Sequence, residues 1–115
     1  MNLEFTQLPN GVRLLKIDGD LDFAGVGAVE TRFYAHCGGE QPRVLVDLSD
    51  TGFVASLGIR MLLQALKTVS ARGGRLILLN PTKIVDSALD ISGLGQFVVR
   101  GSEAEATAAL LQPRK

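Results

Sequence analysis

Arg43-Val44-Leu45-Val46-Asp47-Leu48 and, further along, Arg75-Leu76-Ile77-Leu78-Leu79 are the stretches that decide the fold of this chain. Neither shows the apolar–polar alternation of a strand with one wet face, so each reads as a central strand covered on both faces. Between them Ile59, Leu62, Leu63, Leu66 and Val69 recur at i, i+3, i+4, i+7 and i+10. That spacing predicts a helix over 57–72 with this stripe turned to the core and Arg60, Gln64 and Lys67 on the opposite side. Gly73-Gly74 stops it, and 49–55 is read as the loop that leads into it. A strand, a crossover helix and a second strand in one sheet imply parallel pairing and a right-handed connection.

Upstream, 3–8 and 12–17 are two short β-type runs separated by Pro9-Asn10-Gly11. Asn-Gly tolerates positive φ at both residues, so these runs are expected to be antiparallel neighbours in a hairpin. Phe23, Val26, Val29 and Phe33 then approximate a helical spacing up to about His36. Asp20 or Asp22 can cap its start and Gly38-Gly39 can end it, while Gly25 and Gly27 weaken its first turn. Downstream, Asn80-Pro81-Thr82 opens a helix through about Asp90, and Phe97-Val98-Val99 gives a short strand. Ser102, with Glu105 three residues on, starts the last helix. The expected fold class is α/β: an N-terminal β-hairpin followed by β-α repeats, a mainly parallel sheet with one antiparallel edge strand, and about four helices. At 115 residues the chain, 1–115, is read as one domain.

Composition narrows the function. Twelve basic and twelve acidic side chains cancel, so no net field favours nucleic acid or anionic lipid. One cysteine, Cys37, excludes an internal disulfide and a multi-cysteine metal site. No apolar run approaches the roughly 18 residues of a membrane span, and the first residues do not resemble a secretion signal. The expectation is a cytoplasmic protein without direct membrane insertion, without a cofactor, and not an enzyme.

Candidate sites support that reading. Asp18, Asp20 and Asp22 alternate as in a calcium loop, but Phe23 and Val29 stand where such a loop needs Gly and a bidentate Glu, so helix capping is expected instead. Gly25-Val26-Gly27 is half of a dinucleotide fingerprint, with Glu30 in place of the third glycine. His36 and Cys37 are sequence neighbours, which rarely point at each other. Ser56 in Val54-Ala55-Ser56-Leu57-Gly58 is half of a nucleophile elbow. A hydrolase built on Ser56 with His36 is the enzymatic alternative. Ser56 directly precedes the helix and is expected at its N-cap. There its hydroxyl either satisfies a free amide or, being exposed, accepts a phosphate that the helix dipole would stabilise.

Three stretches together resemble the STAS family, named for sulfate transporters and anti-sigma factor antagonists. Leu15-Lys16-Ile17-Asp18-Gly19-Asp20-Leu21-Asp22 is similar to the family's strand followed by G-[ED]-L-D. Val44-Leu45-Val46-Asp47-Leu48-Ser49 through Phe53-Val54-Ala55-Ser56-Leu57-Gly58-Ile59 resembles a strand ending in D-L and a loop to F-[MI]-D-S-[ST]-G-[LI]. Val85-Asp86-Ser87-Ala88-Leu89-Asp90-Ile91-Ser92-Gly93-Leu94 is similar to the family's helix ending in F-x-[ML]-[ST]-G-L.

The resemblance implies a bacterial anti-sigma factor antagonist that works by partner switching. Unphosphorylated protein would bind an anti-sigma factor that is also a serine kinase of the histidine-kinase-like ATPase type, releasing the sigma factor. Phosphorylation would fall on Ser56, and a metal-dependent serine phosphatase would reverse it. The family's motif Asp is Ala55 in this chain, and Leu57 replaces Ser or Thr. The implied partner-binding set is Asp20, Asp22, Phe53, Ala55, Ser56, Leu57, Gly58 and Arg60. The alternative within the family is a docking subunit of a membrane transporter or other regulatory complex without phosphorylation.

Overall fold

The structure is a computed structural model that describes residues 2–112. Its centre is one five-stranded sheet in the order β1 (Asn2–Gln7), β2 (Val12–Asp18), β3 (Arg43–Asp47), β4 (Arg75–Leu79) and β5 (Val98–Val99). β1 and β2 are antiparallel, and every other pair is parallel. The hairpin forms where Asn-Gly predicts it: Asn10 (φ 66°) and Gly11 (φ 79°) both take the left-handed conformation. The Leu8 N–H donates to the Val12 carbonyl at 2.8 Å and closes the turn.

Four helices cover the sheet: α1 (Phe23–Ala35), α2 (Ser56–Ala71), α3 (Lys83–Ile91) and α4 (Glu103–Leu111). Side chains of a strand alternate between faces, and here both faces are used. Val44, Val46, Leu76 and Leu78 pack with Val29, Phe33, Leu62, Leu66, Val85 and Leu89 under α1, α2 and α3. Leu45, Ile77 and Leu79 point the other way, against Ala106 and Leu110 of α4. Coverage on both sides is the physical reason the central strands read as unbroken apolar runs. The α4 start carries the expected capping box: Ser102 Oγ accepts from the Glu105 N–H at 3.0 Å, and Glu105 Oε1 accepts from the Ser102 N–H at 2.9 Å. That charge-assisted bond holds the Glu105 carboxyl below its usual range.

Two expectations are corrected. Phe23 is 81% exposed and takes no part in the core, because it is the first residue of α1 and the helix meets the sheet only from Gly25 and Val26 onward. In α2 the buried face is Gly58, Met61, Leu62, Ala65, Leu66 and Val69, with Leu63 exposed. The helix is rotated so that Gly58, which has no side chain, meets the chain leaving β2. That contact sets the rotation, and the apolar count alone does not show it.

Candidate functional site

The C-terminal ends of β2 and β3 feed two loops that knit together. The Gly19 N–H donates to the Asp50 carbonyl (3.1 Å), the Leu21 N–H to the Phe53 carbonyl (2.8 Å), and the Ala55 N–H to the Leu21 carbonyl (3.0 Å). The last two form a single parallel bridge, Leu21 with Val54, beyond the ends of the sheet. Thr51, the one buried polar residue among those described, fixes the loop from below. Its Oγ1 donates to the Ile17 carbonyl at 2.9 Å, and its own carbonyl accepts from Thr82 Oγ1 at 3.0 Å. Lys16 Nζ lies 3.1 Å from Asp50 Oδ2, an ion pair that raises the lysine's pKa above its ordinary value.

Glycines permit this closeness. A Cβ on Gly58 would lie 2.7 Å from the Leu21 carbonyl oxygen and 2.9 Å from Val54 Cγ1, and one on Gly52 would lie 2.9 Å from Asp20 Oδ1. Any side chain at Gly58 would therefore push α2 away from the Leu21–Val54 bridge.

Ser56 is exposed, as the sequence suggests, but it is not the N-cap. Ala55 holds that position, in extended conformation (φ −85°, ψ 175°), and its carbonyl accepts the first helical bond from the Ile59 N–H at 3.0 Å. The bridge to Leu21 fixes Ala55 as extended, so the helix turns one residue earlier than the hydroxyl suggests. Alanine has no capping oxygen, so no side chain caps the start of α2. The start of α1, by contrast, is capped by Asp22, whose Oδ1 accepts from the Gly25 N–H at 2.8 Å.

The eight residues named from sequence are thus gathered at one end of the sheet, but in different roles. Asp20, Phe53, Ser56, Leu57 and Arg60 are exposed, with Phe53 at 47% and Leu57 at 37%. Asp22 and Ala55 are half-buried and Gly58 is buried, so these three shape the surface. Sequence reasoning missed Thr51, whose single hydroxyl in a polar loop gives no warning of burial. It also missed Phe23 as a surface residue; its place directly after the capping Asp22 was the available signal.

Ser56 and His36 are kept apart. Ser56 stands beside the start of α1 and His36 follows its end, and a 13-residue helix is about 20 Å long. A serine–histidine pair of the hydrolytic kind is therefore not assembled. The His36 ring stacks on Phe5, with centroids 4.1 Å apart and planes within 12°. Burial, with Arg13 and Arg32 nearby, lowers its pKa. Cys37 is buried, its thiol directed to the Phe33 carbonyl at 3.4 Å, and burial pushes its pKa up to about 11. A thiol in that state is a poor nucleophile.

The fold so described is a hairpin-led, mainly parallel sheet with helices on both faces and an exposed serine in the first turn of a helix without a side-chain cap. Residues 6–108 match the STAS domain, and the chain belongs to that family. It is similar to an anti-sigma F factor antagonist of Lysinibacillus sphaericus, 24% identical over 107 residues and 92% of each chain. Among solved structures it resembles the anti-sigma factor antagonist SpoIIAA in its unphosphorylated form: 23% identity, TM-score 0.81, covering 94% of this chain and 95% of that one. The phosphorylated form of the Bacillus cell fate determinant SpoIIAA matches at 22% identity and TM-score 0.75, over 94% and 98%. The two structural likenesses show that the fold described above is the one those proteins share.

Proposed function

We propose that this chain is a single STAS domain, residues 1–115, acting in the bacterial cytoplasm as an anti-sigma factor antagonist. It binds an anti-sigma factor through the end of the sheet that carries Asp20, Phe53, Ser56, Leu57 and Arg60. The observation that carries the reading is the exposed Ser56 in the first turn of an otherwise uncapped α2, flanked by the exposed Phe53 and Leu57. Apolar side chains beside an accessible hydroxyl suit a docking surface that one modification can switch. The names of the relatives point the same way.

In this reading the anti-sigma factor is also the serine kinase, of the histidine-kinase-like ATPase type, and Ser56 Oγ takes the γ-phosphoryl group of ATP, leaving ADP. The phosphate adds about −1.5 to −2 charge. The free amides and the dipole at the start of α2 stabilise that dianion without unfolding the domain. At the end of the sheet that also carries Asp20, it opposes an acidic partner surface, and about 2.8 kcal/mol of repulsion is a hundredfold in affinity. A metal-dependent serine phosphatase would reset the cycle. Phosphopeptide mapping after incubation with the cognate kinase and ATP tests this. One phosphate on the peptide containing Ser56, with kinase binding lost in Ser56→Asp and kept in Ser56→Ala, is expected. Binding unaffected by Ser56→Asp, or phosphate elsewhere, refutes it.

A further inference from the structure

The two ends of the sheet differ in charge and in relief. β3 and β4 begin with Arg43 and Arg75, which face each other in direct register, and Arg13 is the second residue of β2. Arg72 follows the end of α2 at the same level. None of these arginines is ion-paired among the described residues, where both salt bridges lie at the other end. Three of them donate instead to carbonyls: Arg13 to His36 (2.7 Å), Arg72 to Gly39 (3.1 Å) and Arg75 to Ala109 (2.9 Å). The bonds from Arg13 and Arg75 reach carbonyls at the ends of α1 and α4, whose partial negative charge offsets only part of each cation's charge. Glu40 is the only carboxylate in the loops of this end among the described residues.

This basic end is also hollow. A half-open groove of about 160 Å³ lies between Arg43, Arg75 and Leu110, and a shallow depression open to solvent lies between Gly39, Gln41 and Arg72. A third, of about 360 Å³, runs beside them under Val69, Leu76 and Phe97. The opposite end is knobbed and carries acids in excess of bases: Asp18, Asp20 and Asp50 are exposed there beside Arg60, Lys83 and Arg100, Asp50 being paired with Lys16, and Phe23, Phe53 and Leu57 project. The chain's net charge of zero therefore conceals two oppositely charged ends.

We propose that the basic, hollowed end of one copy receives the acidic, apolar-knobbed end of a second copy. The occupant is a second copy because the molecule itself carries a surface complementary in sign and in relief. Such a contact is heterologous: each copy uses one surface and leaves the other open, so association continues end to end. It covers the end that bears Ser56. Only this consequence, that self-association conceals the partner surface, rests on the function proposed above; the association itself is measured with no partner present.

Sedimentation of the full chain at low ionic strength, from about 10 µM to about 1 mM, tests the contact. The average mass is expected to rise above 12.3 kDa with concentration. Salt at about 0.5 M shortens the screening length to roughly 4 Å and should lower the association constant at least about tenfold. Arg43→Glu with Arg72→Glu removes one surface, and Asp18→Lys with Asp50→Lys the other. Each double variant alone is expected to be monomeric, whereas their mixture should associate again, since the native charges complement each other at one contact and the reversed charges at the other. Circular dichroism checks the fold; if the Glu pair is unfolded, Arg43→Gln with Arg72→Gln should still weaken association about threefold. A wild type monomeric throughout, association insensitive to salt or to the arginine changes, or a mixture that stays monomeric overturns the proposal. Failure to bind an anti-sigma factor would refute the function without touching this result.

Discussion

Gly58→Ala places a methyl group where the structure has no room. Its Cβ would stand 2.7 Å from the Leu21 carbonyl oxygen, 2.8 Å from Leu21 Cβ and 2.9 Å from Val54 Cγ1. Two of these contacts involve Leu21 itself, pinned by its bonds to Phe53 and Ala55, so it cannot swing aside. Forcing a methyl into a packed site costs about 1–3 kcal/mol. Against that, replacing glycine by alanine inside a helix gains about 1 kcal/mol. The clash is expected to win by up to about 2 kcal/mol, a fall in Tm of up to roughly 12 °C for a domain of this size. Gly27 supplies the control, because it lies in α1, is exposed, and an added Cβ meets nothing within 4 Å. Gly27→Ala should therefore raise stability by about 0.5–1 kcal/mol. Urea unfolding of both variants beside wild type decides the matter. Opposite signs are expected; a Gly58→Ala protein at least as stable as wild type would refute the close approach of α2 to the Leu21–Val54 bridge.

Three further outcomes follow from particular contacts. Ser56→Ala should change stability by less than about 0.5 kcal/mol, because Ala55 is the N-cap; a loss near 1 kcal/mol in denaturant unfolding would restore the serine to the capping role. Thr51→Val removes the hydroxyl that donates to the Ile17 carbonyl and should cost about 1–2 kcal/mol by the same measurement, with an unchanged midpoint counting against the buried bond. For His36, burial and then Arg13 and Arg32 put the folded-state pKa below its ordinary 6.5. The unfolded chain therefore takes up the proton first, so this contribution to stability is complete above pH 6.5 and is lost as the pH falls below it. Melting curves of wild type and His36→Phe, which keeps an aromatic ring against Phe5, should diverge on acidification, with wild type falling faster; parallel curves would refute the shift.

The order and kind of the elements lay open in the sequence because they depend on local facts. Val44 to Val46 and Leu76 to Leu79 are apolar on both faces, which only a covered central strand tolerates. Asn10-Gly11 supplied the two positive φ angles of the hairpin, and Ser102 with Glu105 marked the α4 start. The position of Ser56 near the head of α2 was legible for the same reason. What the local pattern does not contain is the contact between segments far apart in the chain. The Leu21–Val54 bridge made Ala55 the cap in place of Ser56, turned α2 onto Gly58, and left Leu63 outside the core. Thr51 became buried only because Ile17 and Thr82 close around it, and equal counts of acid and base said nothing of their separation along the strands. Periodicity and turn chemistry act over a few residues, so the chain could state them alone. Caps, rotations and the placement of charge are set by which segments meet, and only the tertiary structure decides that.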